Sequence, residues 1–304
     1  MLNKLIAFIR LARPHFLLGG FLLYALGALI ARYEGYPINF RVYWIGQLFV
    51  TSIQLMTHFL NEYWDGASDQ LNTSRTPFSG GSGVLGPGGL KHETAFTAAV
   101  ACLAVASGAA VWLIVEQRVV PAALAIMVLA FLGTYFYSSP PVSLVSTGFG
   151  EIAASILVAA FVPAIGHLLQ SGHPSVTVLL VTAPLVVFHF AMLIAFEFPD
   201  FLSDEAAGKH TLLVRLGRRR GIAIHNGALL AAITLAVLGT FLGLPAQVAL
   251  AVLISSPLAL LQIATIRRMQ RGEPVNFTRL TFMAVLIFAL TTYFMAFSFW
   301  VLRA

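Results

Sequence analysis

Long apolar runs separated by short polar stretches dominate this chain. Runs of span length lie near residues 15–32, 43–60, 95–115, 119–137, 150–169, 175–196, 222–242, 246–266 and 280–302. Each approaches or exceeds the roughly 20 residues a helix needs to cross a hydrocarbon layer about 30 Å thick. The pattern predicts an all-α polytopic membrane protein, with residues 1–304 forming a single integral-membrane domain of nine spans. Ahead of the first run, Leu2, Leu5, Ile6, Ile9 and Leu11 interleave with Lys4, Arg10 and Arg13, as in a short interfacial helix. Pro14 then suits the first position of the helix that follows.

Polar residues break this pattern at two places. Asn61, Asp65 and Asp69 are spaced four apart at the end of the second run, so on a helix they share a face with Gln54 and His58. Glu197, Asp200 and Asp204 end the sixth run in the same manner, four spans later, which hints at a duplicated four-helix unit with a ninth helix added. Carboxylates near lipid are costly to ionise, and a bound cation is the first candidate to explain them. Aspartates four apart can hold Mg²⁺ through one or two carboxylates, leaving its other positions to water and phosphate oxygens. Arg75 follows Asp69 by six residues and Lys209 follows Asp204 by five, placed to neutralise the remaining phosphate charge.

Composition and charge sharpen this. Only 10% of the residues are charged and 59% are hydrophobic, against about 25% charged in an average soluble protein. The net charge of +6 therefore follows loops facing anionic lipid rather than nucleic acid. With nine spans, fourteen of the eighteen lysines and arginines fall on the N-terminal side, and Arg32, Arg41, Arg118 and Arg303 fall opposite. The positive-inside rule then places the N-terminus, both acidic clusters and the longer loops in the cytoplasm. The apolar run after Arg13-Pro14 lacks a signal-peptide cleavage site. Cys102 lies in an apolar run, excludes an internal disulfide and reads as packing.

Asn61-Glu62-Tyr63-Trp64-Asp65-Gly66-Ala67-Ser68-Asp69 resembles the first signature, NDxxDxxxD, of the UbiA superfamily of intramembrane polyprenyltransferases, with Glu62 at the usual second-position aspartate. Asp200-Phe201-Leu202-Ser203-Asp204, then Gly208-Lys209-His210-Thr211 and Arg215-Leu216-Gly217, is similar to the second. Tyr137-Ser138-Ser139-Pro140-Pro141, ending in Gly148-Phe149-Gly150-Glu151, is similar to the loop between the fourth and fifth helices. The resemblance implies nine transmembrane helices around a central apolar cavity, with cytoplasmic cap loops. It implies Mg²⁺-dependent transfer of a prenyl group from a polyprenyl diphosphate to an aromatic acceptor. Asn61, Asp65, Asp69, Asp200 and Asp204 would hold Mg²⁺–diphosphate, while Arg13, Arg75 and Lys209 grip phosphate oxygens.

Ser79-Gly80-Gly81-Ser82-Gly83 and the Gly148–Glu151 turn look closest to 1,4-dihydroxy-2-naphthoate polyprenyltransferases of menaquinone synthesis, which points to a bacterial inner membrane. Two departures bear on the acceptor. Glu197-Phe198-Pro199 stands where the naphthoate enzymes commonly carry an asparagine- and arginine-containing run, and Pro199 is expected to break the helix there. His210 replaces an arginine. The same chemistry on 4-hydroxybenzoate, a phytyl-accepting ring or a lipid alcohol stays open, as does, from another class, an ion-coupled secondary transporter.

Fainter signals have a plain and a functional reading. His58 and His189 either satisfy polar neighbours between helices or poise an acceptor hydroxyl. Tyr137 belongs either to an aromatic belt with Tyr135 or touches acceptor or diphosphate. The glycines from 80 to 89 give a flexible loop whose amides could reach phosphate. Arg218-Arg219-Arg220 reads as a topological anchor.

Overall fold

The computed structural model describes residues 2–86, 88–116 and 118–302, which leaves Arg303, one of the four cations assigned to the far side, outside the described residues. The chain folds as α1 (Leu2–Ala12), α2 (Pro14–Tyr33), α3 (Phe40–Gln70), α4 (His92–Val115), α5 (Pro121–Ser138), α6 (Gly150–Ile156), α7 (Val162–Ser171), α8 (Val176–Ala206), α9 (Leu212–Leu216), α10 (Arg218–Phe241), α11 (Ala246–Gln270) and α12 (Phe277–Val301). No strand occurs among the described residues. As expected, α1 is a short helix that exposes Leu5, Ile6, Phe8 and Ile9.

Eight helical segments among the described residues are long and apolar enough to cross a membrane, not the expected nine. The remaining expected span, 43–60, lies within α3. At 31 residues α3 is ample in length, roughly 46 Å, but Gln47, Ser52, Gln54, Thr57, His58 and Asn61 dilute its apolarity. Their partners lie inside the bundle: Gln54 Nε2 donates to the Phe16 carbonyl at 2.8 Å, and Gln47 Nε2 to Thr51 Oγ1 at 2.9 Å. Polar groups satisfied by protein are tolerated at membrane depth.

The second and sixth apolar runs end at 60 and 196, which would leave the acidic motifs beyond the spans. Both instead prolong helices, α3 to Gln70 and α8 to Ala206, and α8 runs through Pro199 without breaking. Proline removes its own N–H donor, but Phe198 and Pro199 are buried, and packing holds the helix across the gap.

Small residues let helices approach closely. A Cβ added to Gly27 of α2 would fall on the carbonyl of Pro163, and one added to Gly166 of α7 on the carbonyl of Tyr24. The pairing is reciprocal, backbone against backbone, as expected where dispersion rather than hydrophobicity joins helices. A π turn, Leu157–Phe161, links α6 to α7 just before Pro163, a position where the regular ladder lacks a donor.

The interior divides into two main apolar clusters. One gathers α8, α10, α11 and α12, the other α3, α4 and α7, and α2 contributes to both. Large apolar side chains on the outer surface, among them Phe241, Ile254, Leu261 and Trp300, are exposed, as suits a protein whose solvent is lipid.

Candidate active site

Between the two clusters lies a cavity of about 520 Å³. Its deeper wall is apolar, with Phe49 and Ile53 from α3 facing Met192 and Phe196 from α8 and Phe288 from α12. Its other end is polar. Arg13, Asn61, Asp65, Asp69, Tyr137, Asp200, Asp204 and Lys209 all line it, so the structure brings together eight of the nine residues singled out in the sequence. The shared face expected on α3 is present, since His58 and Gln54 line the same cavity one and two turns before Asn61.

Lys209 bridges the two acidic helix ends. Its Nζ is 3.2 Å from Asp65 Oδ1 and 3.9 Å from Asp204 Oδ1. Burial alone would push this ammonium down, but Asp65, Asp204 and Asp69 outweigh it and hold the pKa above the ordinary lysine value. Asn61 donates to Asp65 Oδ2 and, at 3.2 Å, lies against Ser138 Oγ at the end of α5.

The loop from 71 to 91 closes over this end, tied down by carboxylates. Asp200 accepts from Asn72 Nδ2 at 2.6 Å and from the Gly80 amide at 3.1 Å. Glu62 accepts from the Ser82 amide at 2.7 Å and from Ser82 Oγ at 2.6 Å, and also receives Arg13 Nη2 at 2.5 Å. Glu62 thus faces loop and Arg13, not the cavity. Arg13 itself is held in a left-handed conformation between α1 and α2, at φ 48°. Gly81, at φ 73°, lies where any Cβ would strike the Asp69 carboxylate, so glycine is needed for backbone to pass there.

Arg75 is the residue the structure does not bring in. It is exposed and absent from the cavity lining, and its Nη2 donates to the Asp69 carbonyl at 2.6 Å. Both histidines line the cavity and have inter-helix partners: His58 Nδ1 is 3.0 Å from the Ala12 carbonyl, and His189 Nδ1 is 3.1 Å from Ser155 Oγ. Tyr135 faces outward while Tyr137 lines the cavity. Sequence reasoning passed over Glu151 as a site residue. It lies in the cavity wall, and the signal for it was an acid inside the apolar run that begins at 150.

The donor set at the polar end is wholly carboxylate and amide oxygen, the hard ligands that suit Mg²⁺. Among the described residues no three acidic, histidine or cysteine side chains converge tightly enough to cage an ion by themselves. That also suits a cation whose remaining ligands are water and phosphate.

Known proteins repeat this architecture. A UbiA homolog from Aeropyrum pernix K1 aligns over 93% of this chain and 98% of its own, with a TM-score of 0.70 at 15% identity. A UbiA homolog from Archaeoglobus fulgidus bound to GPP and Mg²⁺ aligns over 95% of this chain and 99% of its own, with a TM-score of 0.66 at 17% identity. In sequence, the 1,4-dihydroxy-2-naphthoate octaprenyltransferase of Bacillus subtilis (strain 168) is 24% identical over 216 residues, 71% of this chain and 67% of that protein. Membership sets aside the ion-coupled transporter and makes the chain an enzyme of the membrane: the model of the UbiA prenyltransferase family matches residues 20–287, and the protein belongs to that family.

Proposed function

We propose that this protein transfers a polyprenyl group from a polyprenyl diphosphate to an aromatic acceptor, 1,4-dihydroxy-2-naphthoate in menaquinone synthesis. The observation that carries the reading is a cavity with acids and Lys209 at one end and an apolar wall at the other. A diphosphate with an isoprenoid tail has that same polarity. The naphthoate acceptor is supported by the Bacillus subtilis relative and by the glycine-rich stretch from Ser79 to Gly83.

Asn61, Asp65, Asp69, Asp200 and Asp204 would hold Mg²⁺, which, when bound, supplies positive charge against the departing diphosphate. Lys209 and Arg13 hold phosphate oxygens at the cavity mouth, Lys209 by exchanging part of its contact with Asp65 for the ligand. The loop over Asp200 and Glu62 restricts water at that mouth. Phe16, Phe78 and Phe196 form a mutually packed aromatic wall that keeps the allylic carbon dry while it carries positive charge. Tyr137, which lines the same cavity, touches acceptor or diphosphate. We also read α3 as a ninth crossing helix, and residues 1–304 as one domain of a bacterial inner-membrane protein with a cytoplasmic N-terminus.

The test is a membrane assay with Mg²⁺, radiolabelled farnesyl or geranylgeranyl diphosphate, and the naphthoate beside 4-hydroxybenzoate. A lipid-extractable product with the naphthoate alone, abolished by EDTA and restored by Mg²⁺, is expected. Product with 4-hydroxybenzoate alone would keep the chemistry and move the acceptor. No donor binding at all would sink the reading.

A further inference from the structure

Two carboxyl groups in the cavity wall have no part in holding the diphosphate. Glu151, in the first turn of α6, and Glu197, within α8, are 5% and 8% exposed. Each uses one oxygen to receive the backbone of α9: the Leu212 amide donates to Glu151 Oε1 at 3.1 Å, and the Leu213 amide to Glu197 Oε2 at 2.7 Å. The other two oxygens, Glu151 Oε2 and Glu197 Oε1, are buried and receive no N–H or O–H donor from the described residues. The two anchoring amides are consecutive in the chain, which sets the two carboxyls side by side. Ionised carboxylates are acceptors only, and two such charges in contact inside a buried site do not both persist. One proton between them resolves both problems, as O–H···O.

We propose that Glu151 and Glu197 share one proton and serve as the proton acceptor for the hydroxyl of the aromatic nucleophile. This rests on the prenyl-transfer reading above. The acceptor's O–H bond breaks and its electron pair raises density at a ring carbon. That carbon bonds to the prenyl terminal carbon while the carbon–oxygen bond to diphosphate breaks, its pair leaving with diphosphate. The hydroxyl proton passes to the ionised member of the pair, which becomes doubly protonated and later releases that proton to water. The hydrogen on the alkylated carbon returns to the ring oxygen as a proton. No oxidant or reductant is needed.

The surroundings favour uptake there. Tyr137 of α5, Asp65 of α3 and Asp204 of α8 line the same cavity as the pair, while Lys209 lies between the two aspartates. Arg215 of α9 and Arg218 of α10 are engaged elsewhere: Arg215 Nη1 donates to the Thr147 carbonyl, and Arg218 stacks on Phe201. The nearest negative charges thus make a proton on the pair easier to accept, and Lys209 keeps the aspartates from taking it.

Glu197→Gln and Glu151→Gln test this, because glutamine still accepts from α9 and gives the remaining carboxylate an N–H partner, so the anchor survives while the shared proton is lost. The purified protein without substrate is examined first, by infrared difference spectroscopy. A protonated-carboxyl carbonyl band, shifted by deuterium exchange, is expected in the wild type and lost in both variants. Farnesyl diphosphate binding with Mg²⁺ should stay within about twofold, while acceptor kcat/KM falls on the order of a hundredfold. Its rise with pH, as the pair sheds its second proton, should flatten. A wild-type spectrum lacking a band that either variant removes would overturn the proposal. So would wild-type acceptor kcat/KM and pH profile in both variants. A wild type that binds no farnesyl diphosphate would instead overturn the prenyl-transfer reading, and the infrared band would still decide the shared proton.

Discussion

Lys209 is the residue on which the electrostatics of the polar end turns. Asp65, Asp204 and Asp69 overcome its burial and keep it charged. Because its folded pKa is raised, its stabilising contribution is complete below the ordinary lysine value of about 10.4 and is lost only as pH climbs through the raised value. Loss of activity between neutral pH and that value should therefore not report Lys209. Lys209→Ala should raise donor KM at least tenfold and leave acceptor KM within about twofold, the size of a charge-assisted bond lost in a buried site. Arg75→Ala should shift donor KM less than about threefold, since its guanidinium spans the outside of the loop to the Asp69 carbonyl. Equal effects in the two variants would return Arg75 to the phosphate. Asp65→Ala and Asp200→Ala should each abolish turnover with the protein still folded in the membrane. Asp200→Ala should also make the 71–91 loop more sensitive to protease, because two of its anchors are lost with the carboxylate.

These residues also mark what could be read from sequence. Aspartates at a spacing of four declare a common helix face by geometry alone, and Gln54, His58, Asp65 and Asp69 do line one cavity. Glu62 and Glu151 could not be read in that way, because their partners Ser82 and Leu212 lie 20 and 61 residues away. Nothing local told Arg75 from Lys209, since both are cations shortly after an acidic pair. The difference is the path of the loop, which turns Arg75 outward by Gly83 and Lys209 inward. At the scale of elements, apolar run length placed the spans well, yet it ended α3 and α8 too early: polarity marks where lipid stops, while the hydrogen-bond ladder continues to Gln70 and Ala206. The reciprocal approach of α2 and α7 was likewise invisible, because a glycine in an apolar run carries no label for what it touches. Gly27→Ala should lower the thermal midpoint in detergent by the equivalent of about 1–3 kcal/mol, as expected when backbone is forced from backbone. Gly108→Ala in α4, where an added Cβ meets nothing within 4 Å, should leave the midpoint unchanged or raise it slightly. Equal losses at both positions would mean that the α2–α7 contact is not specially close.

For the whole molecule, the cavity sits at the seam of two apolar clusters that share α2, so the acidic ends of α3 and α8 face each other only when both clusters are assembled. The same assembly fixes which loops share a side with the site. α8 leaves the polar end of the cavity at Ala206, and α10 begins just after the short helix α9 with Arg218, Arg219 and Arg220. α10 and α11 pack together and join through the short turn after Phe241, which returns α11 to the acidic side at Gln270. Arg268 and Arg271 then pair with Glu273 at 2.7 and 2.8 Å on an exposed turn there. Arg118, between α4 and α5, belongs to the other end. In a Cys102→Ser background, Arg271→Cys should react with a membrane-impermeant maleimide only in inside-out vesicles, and Arg118→Cys only in right-side-out ones. Both sites are solvent-facing turns, so failure to label in either preparation would signal misfolding rather than topology. Labelling of the two cysteines from the same side would require an even number of crossings between α5 and α11, and would remove the nine-span reading together with the cytoplasmic mouth.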